Sequence, residues 1–104
     1  MSGYAFHPDA FADLDEIWEY IAKDNLDAAD RVLADIHSVL RTLAASPKIG
    51  HRRPDLTGRP LRFHVARHEY LVAYAPDEKP LWVVAVLHGR RSPRLMAAIL
   101  RDRP

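Results

Sequence analysis

The sequence predicts an α+β fold: an antiparallel helical hairpin packed on one face of a small, mainly antiparallel four-stranded sheet, in the order β-α-α-β-β-β, with a short C-terminal helix. Three observations predict it. Two amphipathic stripes occupy residues 8–46 with about two residues between them, so the helices they mark must be antiparallel neighbours. Three strand-like apolar runs follow, at 61–65, 69–74 and 81–87, joined by short connections, as in a meander. Two apolar stripes on one hairpin need a sheet face to cover.

Taken in order, Tyr4-Ala5-Phe6-His7 alternates and reads as a short strand. Pro8 suits a first helical position, where its missing N–H costs nothing. Asp9, Asp13 and Asp15 favour the positive end of that helix. Ala10, Leu14, Ile17, Trp18 and Ile21 form its apolar stripe, with Trp18 expected in the core; Asp13 and Glu16 are expected on an exposed acidic face. The helix should end near Asp24-Asn25. Asp27, with Asp30 three residues on, is the expected N-cap of the second helix. Ala29, Val32, Leu33, Ile36, Leu40 and Leu43 are its buried stripe, and Ser46-Pro47 ends it.

Residues 47–60 are a loop with three prolines, two glycines and the cations Lys48, Arg52, Arg53 and Arg59 beside His51. A loop this long in a small domain is usually functional or mobile. In Leu61-Arg62-Phe63-His64-Val65 the apolar members should face the hairpin, leaving Arg62 and His64 on the opposite sheet face. Arg67-His68 marks a turn into the next strand. The run Leu81-Trp82-Val83-Val84-Ala85-Val86-Leu87 reads as a buried, central strand. Ser92-Pro93 is a cap and first-turn proline for a helix carrying Leu95, Met96, Ile99 and Leu100.

A chain of 104 residues with 48% hydrophobic content is one domain, residues 1–104, and is too apolar to be disordered. There is no cysteine, so no disulfide and no thiolate metal site; this fits a reducing cytoplasm, the expected compartment. The six histidines lack metal-ligand spacing, and no metal or cofactor is expected. The longest apolar run is seven residues, far short of a bilayer span, and the N-terminus has no basic stretch leading into an apolar one, so neither membrane segment nor signal peptide is expected.

The net charge of +1 hides a division. Residues 1–46 hold three basic against nine acidic side chains, a net of −6; residues 47–104 hold twelve against five, a net of +7. A basic second half suits a negative partner. The central strand runs straight into His88-Gly89-Arg90-Arg91, so a rigid element delivers an imidazole and two guanidiniums to the sheet rim. Two chemistries are open. A metal-free ribonuclease needs a base, an acid and cations around a phosphate, which His64 and His88 with Arg62 and Arg90 could supply. A binding surface needs only shape and charge, and Arg90, Arg91, Arg94, Arg101 and Arg103 supply the charge.

Several segments together carry a resemblance: Pro8-x-Ala10, Leu14-x-x-Ile17-Trp18-x-Tyr20-Ile21, Ala28-Ala29-x-Arg31, Pro47-x-x-Gly50-x-x-Arg53-x-Asp55-Leu56, Tyr70-x-x-x-Tyr74 and Val86-Leu87-His88-Gly89-x-Arg91. In this order they resemble the RelE/ParE superfamily of toxins from type II toxin–antitoxin systems, and the Leu87-His88-Gly89-x-Arg91 ending is similar to the ParE branch. The resemblance implies a growth-arresting toxin neutralised by a cognate antitoxin. ParE-like members are associated with inhibition of DNA gyrase; RelE-like members cleave mRNA on the ribosome. The RelE-like ribonucleases tend to carry a lysine-rich surface and a tyrosine near the C-terminus, whereas this chain has only Lys23, Lys48 and Lys79 and its last tyrosine is Tyr74.

The leading expectation is therefore a ParE-like toxin that acts by binding. The alternatives are a RelE-like endoribonuclease and a catalytically silent interaction protein of the same fold. Target binding is expected from Arg62, His64, His88, Arg90, Arg91 and Arg94, and antitoxin binding from Trp18, Arg53, Arg62, Tyr74 and Arg91. The antitoxin segment should be acidic and should bury apolar surface beside the helices or add to an exposed sheet edge.

Overall fold

The computed structural model describes residues 3–104. Its elements run β1 (Tyr4–Phe6), α1 (Pro8–Ala22), α2 (Leu26–Ala45), β2 (Arg62–Ala66), β3 (Tyr70–Ala75), β4 (Leu81–His88) and α3 (Pro93–Arg101), the α+β order read from the sequence. α1 starts at Pro8 because His7 caps it, its Nδ1 accepting from Asp9 N at 3.0 Å. α2 is capped by Asn25, which corrects the expectation for Asp27: the Asn25 backbone is extended (φ −160°), and its side-chain oxygen accepts from Ala28 N at 3.0 Å. Asp27 instead lies in the first turn, where its charge favours the helix dipole. Ser92 caps α3 through Leu95 N at 3.1 Å, with Pro93 following.

The sheet order is β1-β4-β3-β2, with β1 parallel to β4 and the other pairs antiparallel. Arg67 and His68 take positive φ (54° and 61°), the left-handed conformation that tight hairpin turns require. Opposite Tyr74, the register of β4 slips by one, so Val84 is an extra residue between the partners of Ala73 and Tyr74. This bulge turns both Val84 and Ala85 to the same side.

Two cores result, one on each sheet face. Leu14, Ile36, Leu40 and Leu43 of the hairpin pack on Val72, Tyr74, Val83 and Val86. On the other face Leu56 of the loop and Met96 and Leu100 of α3 cover Phe63, Leu71, Ala73, Val84, Ala85 and Leu87. Burying a side chain such as Leu100 is worth roughly 1.5–3 kcal/mol. β4 is buried along most of its length, because this second layer covers the face that the hairpin does not.

That layer overturns one expectation. Arg62 and His64 do not point to a free sheet face. They stand opposite Tyr74 and Val72 and so share the hairpin's side, while Phe63 enters the second core. The apolar members of β2 follow α3 and the loop, not the hairpin.

The edge of β4 explains a second correction. β1 covers only Leu81 to Val83. Beyond it, Val86 N donates to Asp13 Oδ2 at 3.0 Å, and Val84 O accepts from Arg103 at 3.2 Å. Arg103 also grips Asp13 at 2.6 and 2.9 Å. Asp13 is thus 8% exposed, not part of an open acidic face. Trp18 is half-buried at the hairpin margin, not in the core, and its indole N–H donates to Asp30 at 2.9 Å. No helix among the described residues is long and apolar enough to cross a membrane.

Candidate functional site

The end of β4 is held firmly. Val86, Leu87 and His88 are laddered to β3, and Gly89 N donates to Glu69 O at 2.6 Å. A side chain at Gly89 would bring its Cβ to 3.1 Å from that carbonyl, tighter than ordinary contact, which favours glycine here. His88 Nδ1 accepts from Arg90 N at 3.0 Å, and the ring meets Tyr70 edge-on with centroids 5.4 Å apart. With Nδ1 accepting, the neutral ring carries its proton on Nε2. Arg91 N closes the turn on His88 O at 3.1 Å, and α3 begins directly after at the Ser92 cap. Arg90 and Arg91 therefore project from a two-ended, braced turn.

Beside it lies a cleft of about 330 Å³ between α1 and the ends of β3 and β4, walled by Glu16, Ile17, Tyr20, Tyr70, His88 and Arg91. Its volume is at the small end of ligand-site sizes. Tyr20 is 75% exposed at its mouth. Burial, with the Glu69 charge adding to it, pushes the Tyr70 hydroxyl above its usual range, so it stays a neutral donor.

The basic residues divide sharply by partner. Arg103 is held by Asp13, whose hydrogen bonds raise the guanidinium further above its usual range. Arg59 donates to the carbonyls of Leu100, Arg103 and Pro104 at 3.0, 2.7 and 3.0 Å, fastening the end of α3. Arg53 is paired with Asp55 at 2.8 Å and Arg67 with Asp35. Arg90, Arg91, Arg94 and Arg101 are exposed, and among the described residues no carboxylate pairs with them. The tail counted from sequence thus loses Arg103, which is structural.

The expected cluster of Arg62 with Arg90 and Arg91 does not form. Arg62 stands opposite Tyr74, which pairs with Val83; His88 pairs with Tyr70, which faces Ala66. Four strand residues, roughly 13 Å, separate the two ends. The Arg62 guanidinium instead donates to Gly50 O at 2.7 Å and Lys48 O at 3.3 Å, tying the loop to β2. His64 and His88 also line different cavities: His64 borders a groove with His51, Arg53 and His68 at the outer edge of β2. Both histidines share a sheet side, but β3 lies between their strands.

Of the residues expected to meet an antitoxin, Tyr74 is 0% exposed. Its hydroxyl donates to Pro47 O at 2.7 Å and accepts from Gly50 N at 2.9 Å, so it locks the end of α2 to the sheet and offers nothing to a partner. Arg53, Arg91 and Trp18 keep accessible surface. Tyr20, absent from the expected site, became visible only through its place at the cleft mouth. Among the described residues no group of histidines and carboxylates is arranged to hold a metal ion.

A comparison with protein families finds a match over residues 4–93 to the family described as the ParE toxin of type II toxin-antitoxin system, parDE. The matched span includes the cleft and the Arg90-Arg91 turn; residues 94–104, with Arg94, Arg101 and Arg103, lie beyond it. No curated protein matches the chain.

Proposed function

The chain belongs to the ParE toxin family of type II toxin–antitoxin systems, and from that premise we propose that residues 1–104 act as a single cytoplasmic toxin domain that arrests growth by binding DNA gyrase. The reading is carried by one observation: Arg90, Arg91 and Arg94, exposed and with no carboxylate partner among the described residues, lie at and just after the braced turn between β4 and α3. A rigid cationic rim of this kind suits docking on a negative surface, where it raises on-rate and fixes register. His88 completes it with an oriented imidazole. The separation of His64 from His88 into different cavities weighs against an acid–base pair, so binding is favoured over RNA cleavage.

The toxin is neutralised, in this reading, by a cognate antitoxin whose contacting segment is acidic. Support comes from the net +7 of residues 47–104. High salt should weaken the complex accordingly.

The test is a supercoiling assay with purified protein and gyrase, with transcripts followed after expression without antitoxin. Inhibited supercoiling with intact transcripts is the expected result, and Arg90→Ala/Arg91→Ala/Arg94→Ala should abolish it. Unaffected supercoiling would remove the gyrase reading. Cleaved transcripts that become intact in His88→Ala would install the ribonuclease in its place.

A further inference from the structure

The cleft between α1 and the ends of β3 and β4 holds polar groups of both signs that the protein leaves unsatisfied. Asp13, Glu16, Ile17 and Tyr20 share one face of α1, three or four positions apart, and all line it. Asp13 is taken up by Arg103 and Val86 N. Glu16 is not. It is exposed and its charge adds to the field around Arg103, yet among the described residues no cation pairs with it. The facing wall consists of donors from Tyr70, His88 and Arg91. Among the described residues no hydrogen bond uses the Tyr70 hydroxyl, His88 Nε2 or the Arg91 guanidinium. No buried polar side-chain atom among them lacks a partner, so the Tyr70 hydroxyl opens to water. Its ring packs on the hairpin side of the sheet, where the cleft lies.

A carboxylate and a guanidinium thus border one space of about 330 Å³ without closing on each other. An occupant must offer an anion to one wall and donors to the other. The donor wall is set in advance: His88 is oriented by Arg90 N at 3.0 Å and its ring meets Tyr70 edge-on. Three donors from separate elements suit a phosphate, whose oxygens accept several bonds at once. The Glu16 carboxylate only accepts, through two oxygens, and so suits two N–H donors side by side. Ile17 and Val86 supply an apolar stretch between the walls. The Tyr20 ring, 75% exposed at the mouth, is a platform on which a flat base can stack. Guanine carries a ring N–H and an amino group next to each other on its pairing edge, whereas adenine puts an acceptor beside its amino group.

We propose that this cleft binds a guanine mononucleotide, with its phosphate on Arg91, His88 Nε2 and the Tyr70 hydroxyl, its base edge on Glu16 and its ring against Tyr20. The site stands whether or not gyrase is the target. Arg91 serves both, so bound nucleotide and target would compete for it.

The experiment titrates the full isotope-labelled chain with guanosine monophosphate, adenosine monophosphate, guanosine and inorganic phosphate, reading affinity by calorimetry and position by NMR. The guanine nucleotide should bind with shifts at Glu16, Tyr20, Tyr70, His88 and Arg91. The adenine nucleotide should bind at least tenfold more weakly for want of the donor pair, and guanosine at least tenfold more weakly for want of the phosphate. Glu16→Gln should erase most of the difference between the two nucleotides, and Tyr20→Leu should weaken the guanine nucleotide severalfold. Both positions are exposed, so each variant should keep the wild-type spectrum away from the cleft. Equal binding of the two nucleotides, equal binding of guanine nucleotide and inorganic phosphate, shifts confined to cations outside the cleft, or no shift at millimolar guanine nucleotide would each overturn the assignment.

Discussion

Arg103 closes a two-point ion pair on Asp13, 90 positions away in the chain, at 2.6 and 2.9 Å. The pair lies at the edge of β4 just where β1 ends. It finishes a strand that a three-residue neighbour cannot cover, with Asp13 taking Val86 N–H and Arg103 taking Val84 C=O. The last residues of the chain therefore take part in the sheet.

Arg103→Ala should be strongly destabilising. Both side chains are nearly buried, at 12% and 10% exposure, and the substitution strands the Asp13 carboxylate. Breaking such a pair costs about 3–5 kcal/mol. Urea denaturation would show the loss, and Asp13→Asn/Arg103→Leu should recover part of it. An Arg103→Ala midpoint close to wild type would refute the structural role.

Tyr74→Phe should cost about 1–3 kcal/mol, because it removes the donor to Pro47 O and leaves Gly50 N unsatisfied in a buried site. Gly50→Ala should cost more: its Cβ would fall 2.5 Å from the Tyr74 hydroxyl and 2.8 Å from Phe63 O. The phenylalanine change would relieve only the first clash. Thermal melting of the two single variants and the double variant would reveal the coupling.

Stability should fall as pH drops from neutral. The His37 imidazole is held below the ordinary imidazole value of 6.5 by burial and then by the Arg41 charge. The folded state therefore binds fewer protons than the unfolded chain, so stability rises with pH. Its contribution is complete above 6.5 and lost as pH falls from there through the lower folded-state value. Protonation also fixes a proton on Nδ1, 2.8 Å from the Tyr4 hydroxyl, so that this nitrogen can only donate in that contact. Urea midpoints at pH 5 and pH 7.5 should differ less in His37→Gln than in wild type; equal differences would remove His37 as the cause.

Arg62→Ala and Arg91→Ala should separate stability from function. Arg62 ties the loop to β2 through two carbonyls, and its loss should lower stability by about 1–2 kcal/mol with little change in the proposed gyrase inhibition. Arg91 sits exposed at the cleft, and its loss should raise the half-inhibitory concentration severalfold at unchanged stability. The reverse pattern would return Arg62 to the target surface.

Periodicity alone placed both helices, the meander and the terminal helix, because each apolar stripe reports which side of its own element must leave water. It also identified the braced His88-Gly89-Arg90-Arg91 ending, since an apolar run of seven predicts a central strand whatever its neighbours. The face of Arg62 and His64 was beyond its reach. Alternation shows that two sets of side chains point oppositely and not which layer each set meets, and here two apolar layers were available. The caps show the same limit on a small scale: Asn25 and Asp27 are both good cap residues, and only the extended backbone at Asn25 decided between them.

The sequence by itself determined the element order, the chain's charge asymmetry and a rigid strand ending in cations. Only the tertiary structure decided which cations are available to a partner. Arg59, Arg62 and Arg103 look the same as Arg90 and Arg91 in the sequence, yet the first three are spent on carbonyls and a carboxylate that come near only after folding. Charge is a property of composition, whereas its availability depends on what long-range packing brings within hydrogen-bond distance.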